Sequence, residues 1–241
     1  MVRVLLCGAA ILTISMGIRH GFGLWLQPVT QSQGWSRETF AFAIAIQNLT
    51  WGVAGIFAGM IADRFGAFRV IMGAACLYAL GLVGMSQATT PTVLTLSTGV
   101  MIGLAQAGTT FAVIYGIIGR NVSAAKRSWA MGVAAAAGSF GQFFMVPVEG
   151  FLISHFGWQE ALWVLAGSIL LALPLGYLLR EPGFSGGQAP KRDQSIVQAR
   201  ARSFGLPQLF VADGRLLCVR LSGGVYWRAH AQLFKRQRSV S

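Results

Sequence analysis

Charged side chains are scarce in this chain of 241 residues, of which they make up 11%. A soluble globular domain carries about 25% charged residues, so this shortage excludes a protein whose whole surface faces water. Hydrophobic residues make up 54% of the sequence, and the mean hydropathy is +0.60. The composition therefore indicates a protein whose surface lies largely in lipid.

Cysteine and histidine are also scarce, with three residues of each type. Their spacing fits neither a disulfide framework nor a metal site. The six positions are widely separated: Cys7, Cys76, Cys218, His20, His155 and His230. A membrane-embedded enzyme needs a cluster of His, Cys, Asp or Glu side chains. We therefore predict no catalytic residue, metal or cofactor, and keep a membrane-embedded enzyme only as an alternative.

Acidic residues are few, seven against 19 lysines and arginines, and the net charge is +12. A strongly basic chain suggests a nucleic-acid partner. However, the excess is concentrated in residues 183–241, which hold ten basic and two acidic residues, whereas residues 1–182 hold nine and five. Because no recognition motif accompanies the basic residues, nucleic acid is not an expected partner.

Six long apolar runs dominate the first three quarters of the chain. A helix needs roughly 20 apolar residues to cross the hydrocarbon core of a bilayer. The predicted spans are 4–28, 40–61, 68–85, 93–118, 129–153 and 161–179. The first run is longer than the core of a signal peptide and lacks a clear cleavage site, so we expect it to be retained. The sequence thus predicts an all-α bundle of six transmembrane helices over residues 1–182, with the lipid bilayer as a partner.

The placement of basic residues predicts the orientation of this bundle. Cytoplasmic loops carry an excess of lysine and arginine. In a six-span arrangement all but one of the loop cations fall on one side: Arg3, Arg64, Arg69, Arg120, Lys126, Arg127 and Arg180. The opposite side holds Arg37. We therefore expect both ends of the bundle to be cytoplasmic, in a bacterial inner membrane.

The turn between the second and third runs carries the most specific motif. It reads Gly59-Met-Ile-Ala-Asp63-Arg64-Phe-Gly66-Ala-Phe-Arg69. Gly59 lets two helix ends approach, and Gly66 permits a tight reversal of the chain. Asp63 lies at a helix end, where a carboxylate pairs with a cation or caps a neighbouring helix. Arg64 and Arg69 favour a cytoplasmic location for this turn.

This turn resembles the loop signature that follows the second helix in the major facilitator superfamily, Gly-x-x-x-Asp-Arg-x-Gly-x-x-Arg. One departure is Phe68, where the family often has a second basic residue. The resemblance implies the N-terminal half of a facilitator fold, secondary transport by alternating access and a C-terminal six-helix half as a partner. It also assigns an intracellular gate to five residues: Gly59, Asp63, Arg64, Gly66 and Arg69.

Three further segments suggest a branch of the superfamily. Residues 17–23 read Gly-Ile-Arg-His-Gly-Phe-Gly, residues 34–37 read Gly-Trp-Ser-Arg, and residues 138–142 read Gly-Ser-Phe-Gly-Gln. They resemble the oxalate/formate antiporter and monocarboxylate transporter branch. This resemblance implies a small organic anion, such as a monocarboxylate, as the substrate, and protons are expected as a coupling ion.

Five polar or ionisable residues within the apolar runs are candidates for substrate binding: Arg19, His20, Asn48, Gln106 and Gln142. A cation in lipid is costly unless it meets an anion, a polar cavity or the interface. Arg19 therefore either faces a central cavity, where it attracts a carboxylate, or extends to the outer interface. His20 either couples proton movement, since imidazole titrates near neutral pH, or extends to the same interface. The three amides are either cavity ligands or interhelical hydrogen-bonding groups.

Small residues are dense in the fifth run, where close backbone approach stabilises helix contacts in lipid. The predicted packing positions are Gly132, Gly138 and Gly141. Pro147 is expected to bend the same helix locally. Glu149 and Glu160 lie near the outer ends of the fifth and sixth runs, so we expect both carboxylates to be solvated at the interface.

The last part of the chain does not continue the pattern. Residues 183–207 are rich in glycine and proline and predict a flexible cytoplasmic linker. Residues 208–241 carry scattered basic side chains and predict a disordered tail where a facilitator has its seventh helix. If permitted codons are chosen for residues 208 onward, the frame read one base later can encode about 20 nearly uninterrupted apolar residues, long enough for a transmembrane helix. We hypothesise that a frameshift near Pro207 makes this product a truncated half-transporter. A non-transporting structural or regulatory membrane fragment is the alternative.

Overall fold

The computed structural model describes residues 2–179, 208–212 and 215–219. The chain divides into two units, residues 1–188 and residues 189–241. In the first unit the described residues form a helical bundle, and in the second unit they form two strands. The predicted linker, residues 183–207, lies outside the described residues.

Six helices of the first unit are long and apolar enough to cross a membrane. They are the first helix Val2–Gln33, the second Arg37–Phe65, the third Ala67–Ser86, the fourth Pro91–Asn121, the fifth Ala124–Phe156 and the sixth Trp158–Leu178. At about 1.5 Å per residue, even the shortest extends about 30 Å, the thickness of the hydrocarbon core. The predicted bundle of six spanning helices is therefore confirmed.

The first helix continues past Pro28, which the apolar pattern predicted as its end. Proline at position 28 has no backbone N–H to donate, but the carbonyl oxygens of the preceding turn can still accept hydrogen bonds from residues that follow it. The Thr30 hydroxyl donates to the carbonyl oxygen of Leu26 at 2.6 Å. The helix ends before Gly34, whose φ of +67° is in the left-handed region. Polar residues thus extend the helix beyond the apolar run by one to two turns.

Single glycines connect two pairs of consecutive helices. Gly66 has φ +90° and ends the second helix with its N–H donating to the Ala62 carbonyl oxygen at 3.0 Å. Gly157 has φ +81° and plays the same part between the fifth and sixth helices. Positive φ costs glycine little, which permits these reversals without a loop. The structure thus has a tight reversal at Gly66, as the sequence predicts.

The fourth and sixth helices are irregular inside the membrane-spanning segment. The fourth consists of α-helical Pro91–Leu94, a π-helical turn Thr95–Met101 and α-helical Ile102–Thr109, followed after the extended Thr110 by Phe111–Asn121. The sixth consists of Trp158–Ile169 and Ala172–Leu178. Pro174 explains the second interruption, because it lacks the N–H that would bond to the Leu170 carbonyl oxygen. That oxygen accepts instead from the N–H of Leu173 at 2.9 Å.

The core of the bundle lies between the first, third, fourth and sixth helices. The first helix packs chiefly against the fifth, and the fourth packs against the second and third. The largest fully buried side chains include Ile11, Leu12, Trp25, Ile71, Tyr78, Leu82, Ile102 and Ile114. In the most apolar stretch of the fourth helix 67% of residues are buried, against 17% in the second and in the fifth. The second and fifth helices therefore present most of their apolar side chains outward.

Glycines allow the first and fifth helices to approach closely. A methyl group at Gly141 would overlap with the backbone of Thr13, and one at Gly17 would overlap with Met145. A methyl group at Gly138 would make ordinary contact with Phe111 and Met16, at 3.6 Å and 3.8 Å. At Gly132 it would meet no described atom within 4 Å. The three predicted packing glycines thus differ in how closely other atoms surround them. Pro147 lies on an exposed part of the same helix.

The two strands of the second unit are Gln208–Ala212 and Arg215–Val219. They pair antiparallel, with Gln208 opposite Val219 and Ala212 opposite Arg215. The sequence analysis predicts disorder throughout 208–241, whereas the backbone of these ten residues is regular. Both segments are rich in apolar residues and are separated in the sequence by Asp-Gly, a pair that favours two-residue hairpin turns. The origin of this segment in a shifted reading frame stays a prediction.

Candidate functional site

Arg19 lies where the first and second helices meet. Its side chain is half-buried, and Nη2 donates a hydrogen bond to Oδ1 of Asn48 at 2.5 Å. The guanidinium carbon stands 4.3 Å from the centre of the Trp51 ring, in cation–π geometry. These contacts explain why Arg19 points towards the second helix. A hydrogen bond thus joins two of the five predicted binding residues, Arg19 and Asn48.

Residues of the fourth helix hold this cluster in position through hydrogen bonds. Trp51 donates from Nε1 to the hydroxyl of Thr110 at 3.1 Å. Thr110 donates in turn to the carbonyl oxygen of Gln106 at 2.7 Å. Asn48 is oriented by its own hydrogen bond, from Nδ2 to the Ile44 carbonyl oxygen at 2.8 Å. The ring beneath Arg19 and the amide beside it are therefore fixed by independent bonds.

The charge of Arg19 is not neutralised by an acidic side chain within residues 2–179. The ion pair in this part of the chain joins Arg120 to Asp63 instead. A guanidinium group has five N–H donors, and one hydrogen bond to Asn48 leaves an edge able to hold a carboxylate through two parallel bonds. The cluster formed by Arg19, Asn48, Trp51 and Thr110 therefore presents free N–H donors of the kind that recognise an anion.

The other predicted binding residues lie in different surroundings. His20 is exposed, and its Nδ1 is 3.1 Å from the Met16 carbonyl oxygen of its own helix. Gln106 is fully buried, and its Nε2 donates to the Tyr78 hydroxyl at 3.4 Å, which is the interhelical hydrogen bond that the sequence left open as an alternative. Gln142 is half-buried on the fifth helix. Within residues 2–179, no hydrogen bond joins any of these three side chains directly to Arg19.

A buried polar network connects the first, third and fourth helices behind the Arg19 cluster. The Tyr78 hydroxyl lies 3.5 Å from the Ser15 carbonyl oxygen. The Ser15 hydroxyl is 2.8 Å from that of Thr109. Buried polar groups that bond to each other fix the relative positions of the helices that carry them. The sequence analysis did not select Ser15, Tyr78 or Thr109, since isolated hydroxyl groups are common in membrane helices.

Glu149 corrects an expectation from the sequence. Its carboxylate was expected at the solvated interface, but the side chain is 0% exposed. Oε2 accepts a hydrogen bond from Nε1 of Trp25 on the first helix at 3.2 Å. A methyl group at Gly21 would overlap with the carboxylate, so the absence of a side chain there makes room for it. The sequence did contain an indication of this burial, because Glu149 is an acidic residue within an apolar run, and such a position suggests function.

The predicted gate residues surround the turn between the second and third helices. Asp63 accepts from Nη1 of Arg120 at 2.6 Å, which ties the end of the second helix to the end of the fourth. Arg69 donates to the Phe65 carbonyl oxygen at 3.4 Å, and Arg64 stands 5.5 Å from the Phe65 ring. A methyl group at Gly59 would meet no described atom within 4 Å. The charged side chains of this turn are exposed and can rearrange.

Phe68 replaces charge with packing at the position where the motif departs from the family. Its ring meets that of Tyr177 in the sixth helix edge to face, with the ring centres 5.9 Å apart. Edge-to-face aromatic pairs stabilise a contact beyond the apolar area they bury. This ring contact joins the start of the third helix to the sixth helix, and a lysine or arginine at the same position would not make it.

The described residues contain no group of three or more His, Cys, Asp or Glu side chains able to hold a metal ion. Cys7 is buried and Cys76 exposed, and both are free. The polar groups of the described helices are instead single side chains spread over several helices.

Comparison with known proteins identifies the family. The sequence profile described as Major Facilitator Superfamily matches residues 5–236. The chain belongs to the Major Facilitator Superfamily. As a superfamily member with six spanning helices, it is a multi-pass integral membrane protein. The match includes the segment predicted to be out of frame, and that prediction stays untested.

Among its relatives, this facilitator resembles monocarboxylate transporters. It is 30% identical over 180 residues to monocarboxylate transporter 11 of Mus musculus, which covers 74% of this chain and 40% of that protein. It is 28% identical over 224 residues to monocarboxylate transporter 11 of Homo sapiens, which covers 93% of this chain and 46% of that protein. The facilitator chain thus spans less than half the length of these relatives.

A solved structure shares the fold of this facilitator. The peptide transporter POT, determined with alafosfalin, superposes with a TM-score of 0.64 at 16% sequence identity. The superposition covers 83% of this chain and 43% of that one. At this identity the likeness concerns the fold alone, and it agrees with the facilitator-type bundle predicted from the sequence.

Proposed function

We propose that this facilitator takes part in secondary transport of a small organic anion, such as a monocarboxylate, and that Arg19 binds the substrate carboxylate. The observation that carries the proposal is the half-buried guanidinium of Arg19, held by Asn48 and Trp51 without an acidic partner in residues 2–179. A cation placed in this way is stabilised by an anionic ligand. The resemblance to monocarboxylate transporters supports the choice of a carboxylate.

The proposed mechanism is alternating access, in which two six-helix halves rock around a site near the middle of the membrane. The six helices described above supply one wall of that site, and a C-terminal six-helix half supplies the other. The gate loop at Gly59, Asp63, Arg64, Gly66 and Arg69 is proposed to stabilise one of the two arrangements on the cytoplasmic side. The Asp63–Arg120 pair supports this role, because it joins the ends of two helices at that loop.

The proposed location is a bacterial inner membrane, with both ends of the bundle in the cytoplasm. The clustering of basic residues at alternate turns supports this orientation. The product is further proposed to be a half-transporter shortened by a frameshift near Pro207. On this proposal, transport requires the frame to be restored or a second six-helix half to associate.

Uptake in proteoliposomes tests the proposal. We would compare the chain as it stands with a version whose frame is restored after Pro207, using labelled formate, oxalate and lactate. Lactamide, which matches lactate in size but carries no carboxylate, is the control solute. Uptake of a carboxylate but not of lactamide is expected for the restored version. A restored version that moves no carboxylate would contradict transport and favour a structural or regulatory fragment.

Substitution of Arg19 tests its assigned role. Hydrogen bonds to charged groups contribute about 1.5–3 kcal/mol, and about 1.4 kcal/mol corresponds to a factor of ten. Arg19→Gln is therefore expected to lower carboxylate uptake at least tenfold, and Arg19→Lys to lower it less. Arg37→Gln, which removes an exposed cation at the start of the second helix, is the matched control. Equal uptake by Arg19→Gln and Arg37→Gln would rule out the assignment.

A further inference from the structure

Glu149 is a buried carboxyl group that the proposed anion site does not use. It lies in the fifth helix, is 0% exposed and accepts one hydrogen bond, from Trp25 Nε1 to Oε2 at 3.2 Å. The second oxygen, Oε1, is buried and has no hydrogen-bond partner among the described residues. One half of the carboxyl group is therefore held in place, while the other half is unsatisfied.

An ionised carboxylate is expensive in these surroundings. Burying a charge away from water is strongly unfavourable unless an opposite charge compensates it. The ion pair within residues 2–179 is the one between Asp63 and Arg120, so no cation compensates Glu149 there. Trp25 donates a neutral N–H bond, which the carboxyl group accepts in either state. Adding a proton to Oε1 removes the charge and turns this oxygen into an O–H donor.

The groups that face Glu149 do not offer another proton acceptor in direct contact. On the first helix the carboxyl group touches Gly21 and Trp25, neither of which titrates. On the third helix Tyr78 lies within electrostatic range of Glu149 and also of Arg19. Within the described residues, the fourth and sixth helices place no titratable side chain in hydrogen-bond or ion-pair contact with it. Among the side chains in direct contact here, Glu149 is thus the one that can change its protonation.

The geometry also disfavours a metal ion as the occupant. Hard cations such as Ca²⁺ and Mg²⁺ need several oxygen ligands around them. Glu149 supplies one carboxyl group, and the nearest described hydrogen-bonding group is the indole N–H of Trp25, which is a donor and would repel a cation. The carboxylate itself occupies the place that a side chain at Gly21 would take. A proton needs no further room or ligands.

We propose that Glu149 is a reversible proton-binding site of this facilitator, enclosed between the first and fifth helices. A proton from water adds to Oε1 and converts the carboxylate to the neutral acid, and the reverse step returns it to water. Because the group is fully enclosed in this conformation, exchange requires the contact between the two helices to open. The role of Glu149 in coupling protons to transport rests on the proposed function. Its role as a proton-binding site does not depend on that function.

Infrared spectroscopy of the full chain in lipid vesicles tests proton binding directly. We would follow the C=O band of protonated carboxylic acids while the pH is varied, in ordinary water and in D₂O. A band that grows as the pH falls is expected in the unsubstituted chain and in Glu160→Gln, which removes an exposed carboxylate of the sixth helix. Glu149→Gln is expected to lose a component of this band that Glu160→Gln retains, because the other carboxyl groups of the chain contribute to the band in every version. Trp25→Phe is expected to shift the frequency of that component. A band with the same intensity and pH dependence in Glu149→Gln as in the unsubstituted chain and in Glu160→Gln would overturn the proposal.

A transport measurement then asks whether this proton is coupled to the solute. In the frame-restored version, a pH gradient that is acidic outside is expected to drive carboxylate accumulation. Glu149→Gln is expected to abolish this accumulation while leaving exchange of labelled for unlabelled carboxylate at equal pH. Loss of accumulation in His20→Gln but not in Glu149→Gln would refute coupling through Glu149. Failure of all versions to move carboxylate would refute the proposed function and leave the infrared result to decide the proton site.

Discussion

Individual glycines of the fifth helix have unequal surroundings although the sequence gives them the same predicted role. Gly141 lies against the backbone of Thr13, so that a methyl group would collide with atoms that cannot turn away. Gly132 lies on an exposed part of the helix, with no described atom within 4 Å of the same methyl position. The two residues therefore form a matched pair in which alanine changes the packing at one position only.

We predict that Gly141→Ala destabilises the bundle by about 1–3 kcal/mol, because overpacking forces the first and fifth helices apart. Gly132→Ala is expected to leave stability unchanged or raise it by up to about 1 kcal/mol, since alanine is the better helix former. Denaturation of the purified variants in detergent, followed by circular dichroism, measures both changes. Equal stability of the two variants would show that the first and fifth helices do not make the close contact described here.

At the scale of whole elements, the fourth helix is the centre of the bundle and the least regular. The apolar run predicted one uninterrupted helix over 93–118, whereas the structure has a π-helical turn at Thr95–Met101 and a break at Thr110. The π-turn brings Gly99 against the second helix and Ser97 against the third. A π-turn changes the face that a helix presents and often marks a functional segment. Apolar periodicity cannot show it, because apolar and small residues occupy most positions of this helix and leave no clear period.

We predict that the first and fourth helices can be joined by a disulfide. The hydroxyl groups of Ser15 and Thr109 are 2.8 Å apart, which places the two side chains within reach of a disulfide. In a chain with the natural cysteines replaced by alanine, Ser15→Cys with Thr109→Cys is expected to form the bond on oxidation, as detected by peptide mass spectrometry.

Ser15→Cys with Ser154→Cys is the control for this cross-link. Ser154 lies five residues beyond Glu149, which packs against Gly21, and is therefore remote from Ser15 along the axis of the first helix. This pair is expected to stay reduced. Equal cross-linking of both pairs, or of neither, would mean that the first and fourth helices do not pack in the register described.

For the whole molecule, six consecutive spanning helices require alternate turns to lie on the same side of the membrane. The turns at Gly66 and Ser123 carry most of the loop cations, whereas the turn at Thr89 carries none. We predict that alkaline phosphatase fused at Thr89 is active outside the cytoplasm and is inactive when fused at Gly66 or Ser123. A fluorescent protein that matures only in the cytoplasm should give the opposite pattern. Phosphatase activity at Gly66 would exclude the predicted orientation and with it a cytoplasmic gate.

The amino-acid sequence by itself determined the number of spanning helices, their approximate bounds and the family. Each depends on information that is local in the chain: an apolar run about as long as the bilayer is thick and a turn motif of eleven residues from Gly59 to Arg69. Only the tertiary structure decided which side chains meet. Arg19 and Asn48 lie 29 residues apart, and Trp25 and Glu149 lie 124 apart. In lipid almost every residue of a helix is apolar, so the pattern does not reveal which face packs inward. Glu149 is buried because Gly21 lets another helix approach, which is a property of the packed pair and of neither helix alone.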